Sequence, residues 1–375
     1  MSIQVLQPRF RIEECLEAVR ECLEAGWTGI GFKTVAFEKA WCDYAGLPQA
    51  HFLGSATFGL HLALEVLKRR LGWQQGDEVI GTPLTFVSSN HAVLHAGLIP
   101  VFADVDDSLC LDPEAIEARI GPRTRAVVFV GLGGNTGAWD QVVALCRARG
   151  LALILDAAHM AGTRLHGRHV GHDADVAVFS FQAVKNLPTA DSGMICFARA
   201  ADDAHARRLS WMGIDKDTYA RTAPDGAYRW RYEVAEAGFK YHGNSIMAAI
   251  ALVQLRYLEA DNQRRREMAA IYRRLLDGAR GLRWIDPAPG CLSSTHLVQI
   301  RVPARDRILA ALAADGIHAG VHYRDNTDYA LYADQAGTCP RAQAASAELI
   351  SLPLHLGLGD DDLARVAARL RHHLG

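Results

Sequence analysis

Residues 151–185 read LALILDAAHMAGTRLHGRHVGHDADVAVFSFQAVK and contain two apolar runs that lead into polar side chains. The first run ends at Asp156, and the second, 176–179, is followed by Ser180 and then by Lys185. Short runs of Val, Ile and Leu are typical of strands that are buried on both faces of a parallel sheet. Such sheets bind ligands beyond the carboxyl ends of their strands, where these polar side chains fall. The stretch therefore predicts an α/β fold with a functional site at that edge of the sheet.

The same alternation of apolar runs and helical stretches continues on both sides of this segment. Further apolar runs predict strands at 78–81, 99–102, 124–130 and 194–197. Helical periodicity predicts helices at 11–25, 57–70, 89–96, 112–120 and 138–149. Strands that alternate with helices indicate a mostly parallel sheet that is covered by helices on both faces.

The pattern changes near residue 240. A long amphipathic helix is predicted at 245–276, followed by strands at 295–302 and 318–322 and helices at 305–315 and 360–373. We therefore predict a large domain at 1–245 and a smaller C-terminal α+β domain at 246–375, bridged by the long helix. The polar and aromatic stretch 207–232 has little periodicity and is predicted to be a mobile surface loop.

Composition excludes several classes of function. The chain has 375 residues, 50% of them hydrophobic and 22% charged, and a net charge of −2, so no electrostatic reason exists to expect nucleic acid or an anionic membrane as a partner. It lacks an apolar run of transmembrane length and a signal-like start, which predicts a soluble cytoplasmic protein. The eight cysteines are scattered without a CxxC pair, so we expect reduced thiols and no metal site.

Lys185 is conspicuous because arginine supplies nearly all the positive charge of this chain. The only lysines are Lys33, Lys39, Lys68, Lys185, Lys216 and Lys240. A lysine where arginine is the default suggests a need for a primary amine, which can lose its proton and form a Schiff base. An amine at Lys185 and a strand-end carboxylate at Asp156 are the two groups that a site for pyridoxal phosphate (PLP) requires at least. The amine binds the aldehyde, and the carboxylate pairs with the pyridine nitrogen. The alternative for Asp156 is a helix N-cap or a structural salt bridge.

Small residues immediately before the helix at 57–70 suggest a phosphate site. Ser55-Ala56-Thr57 would combine free N–H groups, the positive end of the helix dipole and two hydroxyls. The alternative is that Ser55 only caps the helix. Two other nucleotide motifs are excluded: the glycines at 26–33 follow a helix rather than a strand, and those at 131–137 lack the GxGxxG spacing.

These segments, in this order, resemble the DegT/DnrJ/EryC1/StrS family of PLP-dependent sugar aminotransferases from about Gly26 to the C-terminus. The resemblance implies a three-layer PLP-dependent transferase fold type I, with a mostly parallel sheet in the large domain. It also implies that Lys185 and Asp156 are catalytic. The other cofactor-binding residues that it implies are Ser55, Ala56, Thr57 and Ser180 for the phosphate, Phe86 stacked on the ring, and His159 at the ring hydroxyl.

The segment 238–249 resembles the place where the family has an Asn that reaches the cofactor phosphate of the neighbouring subunit; the alternative for the residue at that position is a solvated charge. Lys240 occupies that position and suits a phosphate as a point charge. The match implies a homodimer with shared active sites. The resemblance also implies substrate contacts for Thr28, His242, His322 and Tyr323.

By analogy with the family, we expect transfer of an amino group from L-glutamate to a keto sugar, linked to a nucleotide, for amino-sugar biosynthesis. Alternative acceptors are non-nucleotide sugars such as a cyclitol or a keto-deoxy-octulosonate. A PLP-dependent lyase or dehydratase is a further alternative, although the sugar dehydratases that resemble this family carry His where this chain has Lys185. A non-catalytic PLP-binding regulator would be expected to lack Lys185 or Asp156, and both are present.

Overall fold

A computed structural model of the protein describes residues 2–215, 219 and 232–375. Its strands are β1 (His51–Leu53), β2 (Glu78–Gly81), β3 (Ile99–Phe102), β4 (Thr124–Val130), β5 (Ala152–Asp156), β6 (Arg164–Leu165), β7 (Arg168–His169), β8 (Val176–Ser180), β9 (Gly193–Phe197), β10 (Arg283–Trp284), β11 (Cys291–Leu292), β12 (Val298–Arg301) and β13 (Leu349–Leu352). A seven-stranded sheet has the order β1-β9-β8-β5-β4-β2-β3. Its strands from β3 to β8 pair in parallel, and β9 and β1 join antiparallel at the edge.

The α-helices are α1 (Ile12–Glu24), α2 (Phe32–Ala45), α3 (Ala56–Leu71), α4 (Ser88–His95), α5 (Pro113–Arg119), α6 (Trp139–Arg149), α7 (Ala200–Ser210), α8 (Ser245–Leu255), α9 (Leu258–Leu275), α10 (Arg305–Ala314), α11 (Pro340–Glu348) and α12 (Asp360–Leu374). Local sequence sets several of their ends. Helices α2, α3 and α6 stop at Gly46, Gly72 and Gly150, which have φ of 69°, 69° and 65°. Glycine adopts this left-handed conformation at a C-cap without steric cost.

The large sheet separates two apolar cores. In β5, Leu153 and Leu155 join a core that contains Trp41 and Phe179, whereas Ile154 joins the core on the opposite face. Successive side chains of a strand point to opposite faces, so a continuous apolar run fits a strand that is covered on both sides. The predicted three-layer α/β class is confirmed.

A second sheet, of order β10-β12-β13, lies in the C-terminal part of the chain and is antiparallel. Its core includes Ile300 and Ile350 from the sheet, together with Tyr272 of α9 and Val366 of α12. The division of the chain into domains at residue 245 stays a prediction.

Three local predictions differ from the structure. The predicted long helix is divided into α8 and α9 at Arg256 and Tyr257. In place of the predicted strand, residues 318–322 form a single isolated bridge, between Gly320 and Ser351. The predicted loop at 207–232 begins with the last turn of α7, and its residues 216–218 and 220–231 lie outside the described part of the chain.

Three further observations concern membranes, thiols and metals. No helix in the described ranges is long and apolar enough to span a bilayer. The cysteines are all free thiols. Within the same ranges, no three His, Cys, Asp or Glu side chains are grouped so that they could hold a metal ion.

Candidate active site

A cavity of about 480 Å³ lies beyond the carboxyl ends of β2, β5 and β8 and contains most of the predicted site residues. Those that line it are Ser55, Ala56, Thr57, Phe86, Asp156, His159, Ser180, Lys185, His322 and Tyr323. They come from five separate parts of the chain. The sheet brings the first four parts together because β1, β2, β5 and β8 run in the same direction and end at the same edge.

The N-terminus of α3 forms one end of this cavity. The Oγ atom of Ser55 accepts a hydrogen bond from the Phe58 N–H at 3.1 Å, so Ser55 is the N-cap. Ala56 is the first residue of the helix, and its methyl group causes no backbone strain there. The first N–H groups of an α-helix have no partner within the helix and are available to an anion. This end of the cavity therefore suits a phosphate group.

Gly193 of β9 allows the turn before α3 to approach the sheet closely. A Cβ atom at Gly193 would lie 2.6 Å from the Ala56 nitrogen and 2.7 Å from the Ser55 carbonyl carbon. Gly193 also pairs with Ser180 across β8 and β9. The absence of a side chain at this position thus brings Ser180 and the start of α3 into one cradle. Sequence reasoning did not single out Gly193.

Asp156 is buried and accepts two hydrogen bonds. Ser89 Oγ donates to Oδ2 at 2.7 Å, and the Ala158 N–H donates to Oδ1 at 3.1 Å. Burial raises the pKa of this carboxyl group above its ordinary value. A cation that enters the cavity would stabilise the charged form, as a protonated pyridine nitrogen does. Ser89 was not predicted as a site residue. The local sequence offers only its spacing of four residues from Thr85, whose Oγ1 atom lies 3.0 Å from Ser89 Oγ.

Lys185 is held by a short turn and by its neighbour in the chain. The Lys185 N–H donates to the Gln182 carbonyl at 2.8 Å. Asn186 Nδ2 donates to Asn262 Oδ1 and to the Ser294 carbonyl, both at 2.7 Å. Burial lowers the pKa of the Lys185 amine to about 8, although the negative charge of Asp156 opposes this effect. The amine can therefore be neutral, and nucleophilic, near physiological pH.

His159 and Tyr323 contact one another at the wall of the cavity. His159 Nε2 lies 3.1 Å from Tyr323 Oη, and the Gly133 N–H donates to His159 Nδ1 at 3.1 Å. Phe86, whose side chain is 57% exposed, has its ring centre 5.9 Å from that of Tyr323. His322 instead points its Nδ1 towards Ser351 Oγ, at 2.9 Å.

Three predicted residues lie away from this cavity. Lys240 Nζ lies 3.7 Å from the centre of the Trp211 ring, on the surface. His242 packs with its ring centre 4.5 Å from that of Trp211 and lines a separate cavity of about 180 Å³. Thr28 is exposed, and its carbonyl accepts a hydrogen bond from the Ser245 N–H. Within the single chain, none of the three is among the described residues that line the cavity of Lys185 and Asp156.

The residues that the cavity does contain fit pyridoxal phosphate. The start of α3 suits its phosphate, and Lys185 suits its aldehyde. The buried carboxylate of Asp156 accepts hydrogen bonds from a hydroxyl and an amide donor and can also accept one from the ring nitrogen, whose positive charge would stabilise it.

Comparison with known proteins agrees with a site for pyridoxal phosphate. The DegT/DnrJ/EryC1/StrS aminotransferase family matches residues 10–371 of the chain. The aminotransferase TlmJ from Streptoalloteichus hindustanus is 34% identical, with a TM-score of 0.92 over 100% of this chain and 99% of that one. PseC from Helicobacter pylori, an aminotransferase involved in the biosynthesis of pseudoaminic acid, is 27% identical, with a TM-score of 0.92 over 100% and 99%. The PLP form of the sugar aminotransferase Spr1654 from Streptococcus pneumoniae is 26% identical, with a TM-score of 0.90 over 100% and 99%. The chain therefore belongs to the DegT/DnrJ/EryC1/StrS family and is a PLP-dependent aminotransferase of fold type I.

Proposed function

We propose that this protein transfers the amino group of L-glutamate to a keto sugar that is linked to a nucleotide. The observation that carries the proposal is the placement of Lys185, with a lowered pKa, in one cavity with the buried carboxylate of Asp156. The names of the similar structures support a sugar as the acceptor, since one acts in pseudoaminic acid biosynthesis and another is a sugar aminotransferase.

The roles of the residues follow from their surroundings. When bound, pyridoxal phosphate supplies an aldehyde that takes up the amino group and a cationic ring that withdraws electrons from the reacting carbon. Lys185 would hold that aldehyde through its Nζ atom and, when its amine is free, would accept and return a proton at Nζ. Asp156 would keep the ring nitrogen protonated, since Ser89 and the Ala158 N–H fix the orientation of its carboxylate.

The first experiment is to record the absorption spectrum of the purified protein with added PLP, and then with L-glutamate. We expect a visible band that glutamate converts to a near-ultraviolet band, because the amino group moves onto the cofactor. Lys185→Ala should abolish turnover, and Lys39→Ala, whose side chain is 75% exposed on α2, is the matched control. A band that glutamate leaves unchanged would reject this donor. A panel of nucleotide-linked and free keto sugars then tests the acceptor.

We also propose a homodimer in which Lys240 of the partner subunit reaches the phosphate. Among the described residues that line the cavity, hydroxyls and helix N–H groups face the phosphate end, and no Lys or Arg other than Lys185 is present. Helix α1 also exposes apolar side chains along one face: Ile12 is 64% exposed, Leu16 56% and Leu23 60%. Exposed apolar faces of this kind are typical of contact surfaces between chains.

Mixing two inactive variants tests the shared site. Lys185→Ala and Lys240→Ala subunits should each be impaired alone, while a mixed dimer rebuilds one intact site from Lys185 of one subunit and Lys240 of the other. After random mixing, half of the dimers are mixed and each has one of two sites intact, so about a quarter of the wild-type sites should return. Mixtures that show no recovery would contradict a phosphate contact between subunits.

A further inference from the structure

The segment 82–87, between β2 and α4, forms one wall of the cavity. The residues in it and just after it that line the cavity are Thr85, Phe86, Ser88 and Ser89. Helix α4 begins here without a side-chain cap, because Val87 stands at the N-cap position. The position of this wall therefore depends on contacts from other parts of the chain.

Asn326, in the C-terminal part of the chain, provides these contacts. Its backbone N–H donates to the Pro83 carbonyl at 2.8 Å, and its Nδ2 donates to the Thr85 carbonyl at 2.8 Å. Asn90 Nδ2 donates to Asn326 Oδ1 at 2.8 Å and to the Thr82 carbonyl at 3.1 Å. Because carbonyl groups only accept, these bonds fix the orientation of both amides. The two asparagines are buried, with 0% and 3% of their surface exposed, and together they hold three carbonyls of the wall.

Two hydroxyls connect this wall to Asp156. Ser89 Oγ donates to Asp156 Oδ2 at 2.7 Å, so its only proton is used. Thr85 Oγ1 lies 3.0 Å from Ser89 Oγ and is therefore the donor in that pair. Both hydroxyl dipoles thus point towards the carboxylate, and hydrogen bonds in such a chain strengthen one another. Thr85 is also the residue whose carbonyl Asn326 holds.

Loss of the Asn326 side chain would be felt at Asp156 through this chain of contacts. Truncation would leave the Thr85 carbonyl and the Asn90 amide buried without these partners, and buried polar groups are rarely left in that state. The backbone at Thr85 would move to regain a partner, and the Thr85 hydroxyl would move with it. Asn326 is not among the described residues that line the cavity, so its effect on a ligand passes through Thr85 and Ser89.

We propose that Asn326 is a positioning residue that holds Thr85 so that the hydroxyls of Thr85 and Ser89 point at Asp156 and keep its carboxylate turned towards the ring nitrogen of the cofactor. This inference rests on the proposed function, and it assigns a role to a residue that the sequence analysis did not single out.

The test compares Asn326→Ala, Ser89→Ala and the combination of the two. The dissociation constant for PLP is measured by absorbance titration of the full chain. Asn326→Ala should weaken PLP binding about tenfold, the effect of losing one hydrogen bond that supports a charged group. The double variant should bind PLP no more weakly than Ser89→Ala alone, because Asn326 acts through Ser89.

Gln254→Ala is the matched control for the loss of a buried amide. Gln254 is 2% exposed, and its Nε2 donates to the carbonyl of a residue distant in the chain, Arg9, at 2.9 Å. It does not line the cavity of Asp156. Gln254→Ala should therefore lower the unfolding temperature and leave the affinity for PLP as in the wild type.

Two further measurements separate positioning from a purely structural role. Thr85→Val removes the hydroxyl and keeps the backbone carbonyl that Asn326 holds, and it should weaken PLP binding in the same direction as Asn326→Ala. At saturating PLP, the rate at which L-glutamate removes the visible band should also fall by a similar factor in Asn326→Ala. A displaced carboxylate holds the proton of the ring nitrogen less well, whereas Gln254→Ala should keep the wild-type rate.

Several results would overturn the inference. Wild-type affinity for PLP in Asn326→Ala, with only a lower unfolding temperature, would make Asn326 a structural residue. Additive losses in the double variant would show that Asn326 does not act through Ser89. Where Asn326→Ala does not fold, wild-type affinity in Thr85→Val would overturn the inference by itself. A wild-type band that glutamate leaves unchanged would reject the donor in the proposed function, while the PLP affinities would still decide this inference.

Discussion

Gly193→Ala is expected to weaken cofactor binding through the backbone alone. The added Cβ would lie 2.6 Å from the Ala56 nitrogen, 2.7 Å from the Ser55 carbonyl carbon and 2.9 Å from the Phe179 carbonyl oxygen. All three are backbone atoms, so no flexible side chain can move aside. The turn before α3 must therefore shift away from β9, and the Ala56 N–H at the phosphate end of the cavity shifts with it.

The expected magnitude follows from the cost of overpacking. An added methyl group in a tightly packed site typically costs about 1–3 kcal/mol, which corresponds to a roughly 5- to 150-fold weaker dissociation constant if it acts only on the bound state. Part of the cost will appear as a lower free energy of unfolding, because the clash is also present in the apo protein. The sum of the two effects should fall in this range.

The assay is titration of the apo protein with PLP, followed by absorbance, together with thermal unfolding of the apo form. Gly121→Ala is the matched control: its Cβ would meet the nearest side-chain atom at 3.6 Å, an ordinary contact, before the amino end of β4. A Gly193→Ala protein with wild-type affinity and wild-type unfolding temperature would refute the steric argument for the cradle.

Two further predictions concern the charged groups of the cavity. The pKa of Lys185 is lowered to about 8 in the folded protein, whereas its ordinary value in the unfolded chain is 10.5. Between these two pH values the unfolded chain holds a proton that the folded chain lacks. The free energy of unfolding of the apo protein therefore rises with pH in this range. Lys185→Met should therefore stabilise the apo protein by up to about 3 kcal/mol below pH 8, reduced by solvent screening in the cavity, and this gain should shrink towards pH 10.5. Denaturant unfolding at several pH values measures the difference in the free energy of unfolding. A difference that does not change with pH would contradict the prediction. Ser89→Ala removes a donor from buried Asp156 and should weaken PLP binding by about 1.5–3 kcal/mol, roughly 10- to 150-fold. Titration with PLP measures the effect, with Ser346→Ala, a buried serine that does not line the cavity, as the control. Equal affinities for the two variants would show that Ser89 does not support Asp156.

The sequence predicted the parts of the fold that depend on neighbouring residues. The strands β2, β3 and β4 have the predicted bounds, because short apolar runs between turn signals are local features. The helices near them were also predicted to within a few residues. The break of the predicted long helix at Arg256 and Tyr257 was missed because no glycine or proline marks it in the sequence.

Part of the site was also accessible from sequence, since a lysine and an aspartate that follow buried strands must meet at one edge of a parallel sheet. Lys185, Asp156 and Ser180 do lie in one cavity. The substrate contacts that the resemblance implied for Thr28 and His242 stay predictions; both residues lie outside that cavity.

Only the tertiary structure decided which side chains support the site. Ser89 meets Asp156 across 67 positions of the chain, and Tyr323 meets His159 across 164. Such contacts depend on how the helices and the C-terminal segment pack against the sheet, and no spacing in the sequence records them. The amine and the carboxylate could be predicted from the sequence because they follow local strand signals, whereas the orientation of Asp156 and the close approach at Gly193 follow from packing.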